Sequence, residues 1–150
     1  MAAWFRVSVR VSVLRDDSLG ASARHAVSAA AIGPLLRRCG DELAVPRRST
    51  VTVRLTDDAT MRELNRRFLS IDAPTDVLAF PLHEPRRIGD IAISVERALS
   101  QSADGVAELR LLAVHGLLHC LGHDHDAPGA AATMTELTRR LLPAQRVPDL

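Results

Sequence analysis

One segment constrains the fold more than any other. From about Asp104 to Leu121 the chain carries Leu109, Leu111, Leu112, Val114, Leu117, Leu118 and Leu121, spread round nearly every side of a helix. A helix apolar all round belongs in the middle of a domain. Set into it are His115 and His119. Four residues apart, they project from one face, about one turn from each other. Two imidazoles in a leucine-rich helix are expensive to bury without a shared partner, and a metal ion supplies one. Gly122 can end the helix in the left-handed conformation that other residues resist. The chain can then turn back and offer His125. Three neutral imidazole nitrogens suit one Zn²⁺, or another divalent transition metal, per chain. Three protein ligands leave a fourth position for water or substrate, which favours a catalytic site over a structural one.

The neighbours of these histidines are weighed one by one. His123 reads as a loop residue beside the site. Cys120 points about 100° away from His119 on a helix and is set aside as a ligand. Asp124 is a candidate for orienting an imidazole or acting as a base, against the plainer reading of a turn carboxylate. Gly116 stands where an HExxH protease has its glutamate, and glycine cannot accept a proton, so a protease of that type is poorly supported. It does let another backbone or a substrate approach closely. His25 and His83 are isolated and receive no ligand role.

The 150 residues suffice for one domain with one core, and 47% hydrophobic with 25% charged residues marks a globular chain. A net charge of +1 advertises no global field for nucleic acid. All basic residues are arginine, often in doublets such as Arg66-Arg67, which suit phosphate if they converge. The two cysteines, Cys39 and Cys120, have no CxxC partner and read as reduced, buried thiols. No apolar run reaches the ~18 residues of a membrane span. With no export signal, the expected location is the cytoplasm.

Along the chain, Val7, Val9, Val11 and Val13 alternate with Arg6, Ser8, Arg10 and Ser12, the period of a half-buried strand. Asp17 or Ser18 is placed to cap a helix through Ala21–Ala31, closed by Gly33-Pro34; Leu35–Leu43 extends it or forms another. Ser49–Leu55 is a second strand. Asp57 or Asp58 caps a helix from about Ala59 to Phe68. Val77–Phe80 is a short strand halted by Pro81, His83–Arg87 a polar loop, and Gly89–Ser94 a fourth strand. A helical turn at Glu96–Leu99, the central helix and a last helix near Ala130–Leu142 follow, with a tail from about 143 expected to fray. The expectation is a single α+β domain over 1–150. It has a small, mostly parallel, mixed four-stranded sheet, about five helices, and the metal site on the central C-terminal helix.

Three segments in this order resemble the YbeY endoribonucleases, the bacterial rRNA maturation factors. His115-Gly-Leu-Leu-His119-Cys-Leu-Gly-His-Asp-His125 is similar to the family's H-G-x-x-H-x-x-G-[YH]-D-H motif. Pro74-Thr-Asp-Val-Leu-Ala-Phe-Pro81 and Gly89-Asp-Ile-Ala-Ile-Ser94 resemble its other two signatures. Leu64-Asn65 followed by Phe68 also fits. The resemblance implies a zinc-dependent, single-strand-specific endoribonuclease with the metal on His115, His119 and His125. It implies work in 16S rRNA 3′-end maturation and ribosome quality control, alongside the small ribosomal subunit with one of its proteins and the GTPase Era. The Thr75-Asp76 loop and the strand near Phe80 would flank a cleft to the metal. Two departures stand out. Leu69 occupies the position of a family arginine thought to hold the RNA, leaving Arg66 and Arg67 as its candidate substitutes, and Ala79 replaces a serine. The competing readings are a non-catalytic ribosome-assembly factor with a structural metal, and a metallohydrolase of another substrate.

Overall fold

The computed structural model describes residues 9–150. The elements run β1 (Arg10–Arg15), α1 (Ala21–Ala30), α2 (Ile32–Glu42), β2 (Thr50–Thr56), α3 (Asp58–Leu69), β3 (Val77–Glu84), β4 (Arg87–Ser94), α4 (Val95–Gln101), α5 (Gly105–Cys120) and α6 (Ala130–Leu141). The sheet order is β1-β2-β4-β3. β1, β2 and β4 are mutually parallel, and β3 joins the edge antiparallel to β4. The expected α+β class and mixed four-stranded sheet are present, with six helices among the described residues instead of about five.

Strand alternation decides what covers each face. Val51, Val53, Leu55, Ile91 and Ile93 point into the main core, which α1, α2, α4, α5 and α6 complete. The intervening residues face the other way, where only α3 packs, through Met61 against Leu78 and Ala92. Elsewhere that face is polar, with Arg10, Thr50, Thr52 and Arg54 partly or fully exposed. This explains the clean period of two in strands that pair in parallel: a parallel sheet buried on both faces would read as continuous apolar runs. The part of the N-terminal alternation from Arg6 to Ser8 lies outside the described residues.

α5 fills the middle of the core, with Leu109, Val114, Leu117 and Leu118 fully buried. Asp104 caps it, its side chain accepting from the Ala107 N–H at 3.0 Å. Gly116 is where the helix meets the sheet. A Cβ there would lie 2.7 Å from Ile91 Cγ2. The close approach expected at this glycine is therefore made by a β4 side chain, not by a substrate.

Four expectations need correction. Pro81 does not halt β3, which continues to Glu84 and turns tightly into β4. Pro81 pairs opposite Gly89 on an edge strand, where a missing N–H breaks no inner ladder. α1 begins at Gly20 without a side-chain cap from Asp17 or Ser18. It ends not at Gly33-Pro34 but at Ala31, in the left-handed conformation with φ 47°. Gly33 and Pro34 instead open α2, whose first turn has no use for the proline N–H. The tail does not fray. Gln145 Nε2 donates to Ala107 O at 2.8 Å, Arg139 Nη2 to Val147 O at 3.1 Å, and Val147 is 7% exposed.

Away from the site, Asp16 accepts two hydrogen bonds from Arg54 and one from the Thr56 hydroxyl. Arg54 above all holds the Asp16 carboxyl below its ordinary value of 3.8. A carboxylate with a lowered folded pKa stabilises the fold above its unfolded pKa, and that stability is lost as the pH falls through the folded value. Asp16→Asn is expected to cost about 1 kcal/mol at pH 7, because Arg54 is half exposed and screened. Its difference from the parent should vanish in denaturant titrations repeated at progressively lower pH. Gly116→Val is expected to lose about 1–3 kcal/mol by overpacking against Ile91, seen as a lower urea midpoint at unchanged slope.

Candidate metal centre

α5 supplies two of the three histidines. His115 and His119 are half-buried, with their Nε2 atoms 3.0 Å apart and rings edge to face. After Leu121 the helix closes in a Schellman turn: Gly122 N–H donates to His119 O, and His123 N–H to Leu118 O, both at 3.0 Å. Gly122 takes φ 96°, a conformation other residues resist. This reversal brings His125 back over the helix end, its ring centroid 5.6 Å from that of His119 and 6.2 Å from that of His115. One ring nitrogen from each histidine lies within 4.8 Å of the other two.

Nitrogens bound at ~2.0–2.1 Å around a tetrahedral metal stand about 3.3 Å apart, so small side-chain rotations would complete such a site. The protonation state fits too. Burial, helped by the neighbouring His119 and His125, pushes the His115 imidazole down to about 4. Burial also lowers His119. Both rings therefore stay neutral at physiological pH and keep a lone pair to donate. The arrangement can hold one divalent ion. Asp124, His125 and Asp126 form a second cluster of potential donors, but all three are exposed, and hydrated carboxylates gain little from a shared ion.

The three histidines border a cleft of about 470 Å³. Val77, Ala79 and Pro81 of β3 form one wall, Leu69 stands at the end of α3, and the Gly122–His125 turn faces them. Asp76 and Val77 line it as expected of the Thr75-Asp76 loop; Phe80 does not, because it turns to the opposite sheet face and meets the Phe68 ring at 5.4 Å. His123 lines the cleft without joining the cluster.

Of the remaining candidate residues, Asp124 lies beside His125 and lines the cleft, and the two arginines do not. Asp124 accepts from the His125 N–H at 2.6 Å and the Asp126 N–H at 3.3 Å, and these bonds hold its carboxyl below the usual range. Arg66 is exposed and paired with Glu63 at 2.7 Å. Arg67 lies over the Phe68 ring, 5.7 Å from its centroid. Neither arginine lines the cleft; Leu69 does, at 51% exposure. The thiol of Cys120 is turned toward Gly89, and burial pushes it up to about 12. Cys39, pushed up to about 11, is buried in the core. Both are free, as expected.

Sequence reasoning missed the residues that hold the cleft in shape. Asn65 is buried and donates from Nδ2 to Ala73 O at 2.9 Å, fixing the loop that leads to Asp76. Asp76 is tied to β4 through Ser94 N–H and to α4 through Gln101. A polar residue on the buried face of an amphipathic helix was the available signal for Asn65; nothing local marks Gln101.

The chain is similar to known proteins along most of its length. A family model described as Endoribonuclease YbeY matches residues 21–145. The Endoribonuclease YbeY of Chloroflexus aggregans is 38% identical, covering 92% of this chain and 97% of that protein. That of Nitrobacter winogradskyi is 35% identical over 83% of this chain and 70% of its own length. The solution structure of TM1509 from Thermotoga maritima is similar in fold, with a TM-score of 0.50 at 24% identity over 89% of each chain. With the family model matching residues 21–145 and a relative 38% identical over nearly its whole length, this protein belongs to the YbeY endoribonuclease family.

Proposed function

We propose that this chain is a zinc-dependent, single-strand-specific endoribonuclease that trims the 3′ end of 16S rRNA and acts in ribosome quality control. The observation that carries the reading is the convergence of three imidazole nitrogens at one end of an open cleft, in a member of this family. His115, His119 and His125 would hold the metal. When bound, a divalent ion with an open position supplies Lewis-acid stabilisation of a phosphoryl oxygen and lowers the pKa of water. The chain's own residues do the rest. Neutral, half-buried His115 and His119 offer lone pairs without first losing a proton. Asp124 accepts from two backbone N–H groups through Oδ1, which fixes the turn that presents His125. Val77, Ala79, Pro81 and Leu69 make a weakly hydrated wall, against which electrostatic stabilisation of the reacting phosphate is stronger than in water. Arg66 and Arg67 are assigned to the RNA backbone outside the cleft, where the family arginine position is Leu69.

Single-stranded RNA, whose flexible backbone can bend into the cleft, is the proposed form of the substrate. The small ribosomal subunit with one of its proteins, and the GTPase Era, are the proposed partners, and the cytoplasm the proposed location. Among the described residues no helix is long and apolar enough to cross a membrane. A purely structural metal is less well supported, because structural sites close their coordination sphere, whereas these imidazoles open on to the cleft.

Untagged protein is expected to carry about one zinc per chain, and His115→Ala or His119→Ala to lose metal and RNA cleavage together, since three donors are needed for tight binding. Retention of full metal content by either variant would refute the ligand assignment. Equal cleavage by native protein and His119→Ala would identify a contaminating nuclease. Asp124→Ala is expected to weaken metal affinity roughly tenfold, the usual effect of removing a group that orients a ligand, measured by competition with a chelator.

A further inference from the structure

A second pocket, of about 270 Å³, opens on the other side of the histidine cluster. It shares Asp76, Val77, His115 and His125 with the metal cleft, so the two adjoin. Leu111 and Leu112 of α5 form its floor, and Val147 and Pro148 of the C-terminal segment its roof. That roof is anchored by the Arg139 bonds to Val147 O and by Leu150 N–H, which donates to Thr135 Oγ1 at 3.2 Å. The volume falls just below the ~300 Å³ at which pockets for drug-sized ligands begin, which suits a single planar base.

The charged lining says which part of a nucleotide enters. Asp76 and Glu108 both border the pocket, and one side-chain amide holds them together. Gln101 Nε2 donates to Asp76 Oδ2 at 3.1 Å and to Glu108 Oε1 at 2.8 Å. Glu108 Oε2 has no hydrogen-bond partner among the described residues. Two carboxylates at an apolar chamber repel a phosphate and a carbonyl oxygen and accept from N–H donors. Cytosine, adenine and guanine each present an exocyclic amino group, while uracil presents a carbonyl in its place, and its one N3–H donor lies between two carbonyl oxygens that a carboxylate repels.

We infer that this pocket receives the base of a nucleotide beside the scissile bond and selects bases bearing an exocyclic amino group over uracil. The inference rests on the nuclease reading above and adds a specificity determinant to it: Glu108 chooses the base while the imidazole side takes the phosphate, and Asp76, whose oxygens accept from Val77 N–H and from Gln101, holds the amide that positions Glu108. The C-terminal segment is thereby part of the substrate site.

The test is cleavage of a single-stranded RNA library, randomised in sequence, by zinc-loaded protein, with both product ends sequenced. At one position flanking the cut, amino-bearing bases should exceed uracil by roughly fivefold or more, the discrimination of one good base contact. Glu108→Gln, which keeps size and adds a donor for a carbonyl, should bring uracil to parity there. Leu111→Trp, which fills the chamber, should flatten the composition at the same position. Uniform base composition around the cut in the native chain, or a preference unchanged in both variants, overturns the inference. Binding of cytidine and uridine to the same zinc-loaded protein, followed by NMR, separates the two readings. If RNA is not cleaved but cytidine binds more tightly than uridine and Glu108→Gln abolishes the difference, the nuclease reading alone fails. If RNA is cleaved with no base preference, the pocket assignment alone fails.

Discussion

The contact between Gly116 and Ile91 is the constraint on which the rest of this molecule depends. It lets a helix that is apolar all round sink against the sheet, so that its histidines arrive half-buried at the sheet's edge instead of out in solvent. Burial then sets their chemistry. An imidazole removed from water resists protonation, and His115 resists it most because it is the deeper of the pair. A packing decision at one small residue thus becomes a protonation decision one residue away. The missing glutamate of an HExxH helix follows from the same cause, for the position that would carry it is pressed against β4.

The site divides its labour between rigid and turned backbone. Two of the three clustered imidazoles ride on α5, where their separation is fixed by helical geometry. The third depends on a reversal held by two backbone hydrogen bonds and a glycine at positive φ. Asp124 adds a third restraint to that reversal from its own side chain. On the opposite wall, Asn65, Ser94 and Gln101 tie the Asp76 loop to three different elements. Both lips of the cleft are therefore held by polar bonds, while its floor is held by apolar packing.

Much of this was legible in the residues. Periodicity revealed α5, the two inner strands β2 and β4 and the described part of β1, because each has one face or all faces committed to the core. The histidine spacing revealed the cluster, because helix pitch and a glycine stop leave few other outcomes. The cap at Asp57, one of two adjacent candidates, was readable for the same local reason. What was not legible depends on partners distant in sequence. The continuation of β3 beyond Pro81 depends on β4 lying alongside it, and a proline says nothing about whether its strand is inner or edge. The break at Ala31 depends on tertiary packing that forces an alanine into a conformation it does not favour. The order of the tail depends on Ala107, Thr135 and Arg139, none of which announces a docking segment. Arg66 and Arg67 looked available for the cleft because sequence spacing places them near Leu69; Arg67, two residues back, is turned about 160° from Leu69, and Arg66, one turn back, is drawn on to Glu63.

Pro81 has one more effect. A bare sheet margin bordering a ligand cleft is a template on which another chain's strand can zip, and natural proteins blunt such margins to stay free of aggregates. Here the blunting agent sits at the lip itself, on the outermost strand, where the proline ring interrupts the row of donors that an intruding strand would need. The opening can stay uncovered for a nucleic-acid strand, which asks nothing of that row, while a foreign polypeptide finds its ladder broken at the threshold.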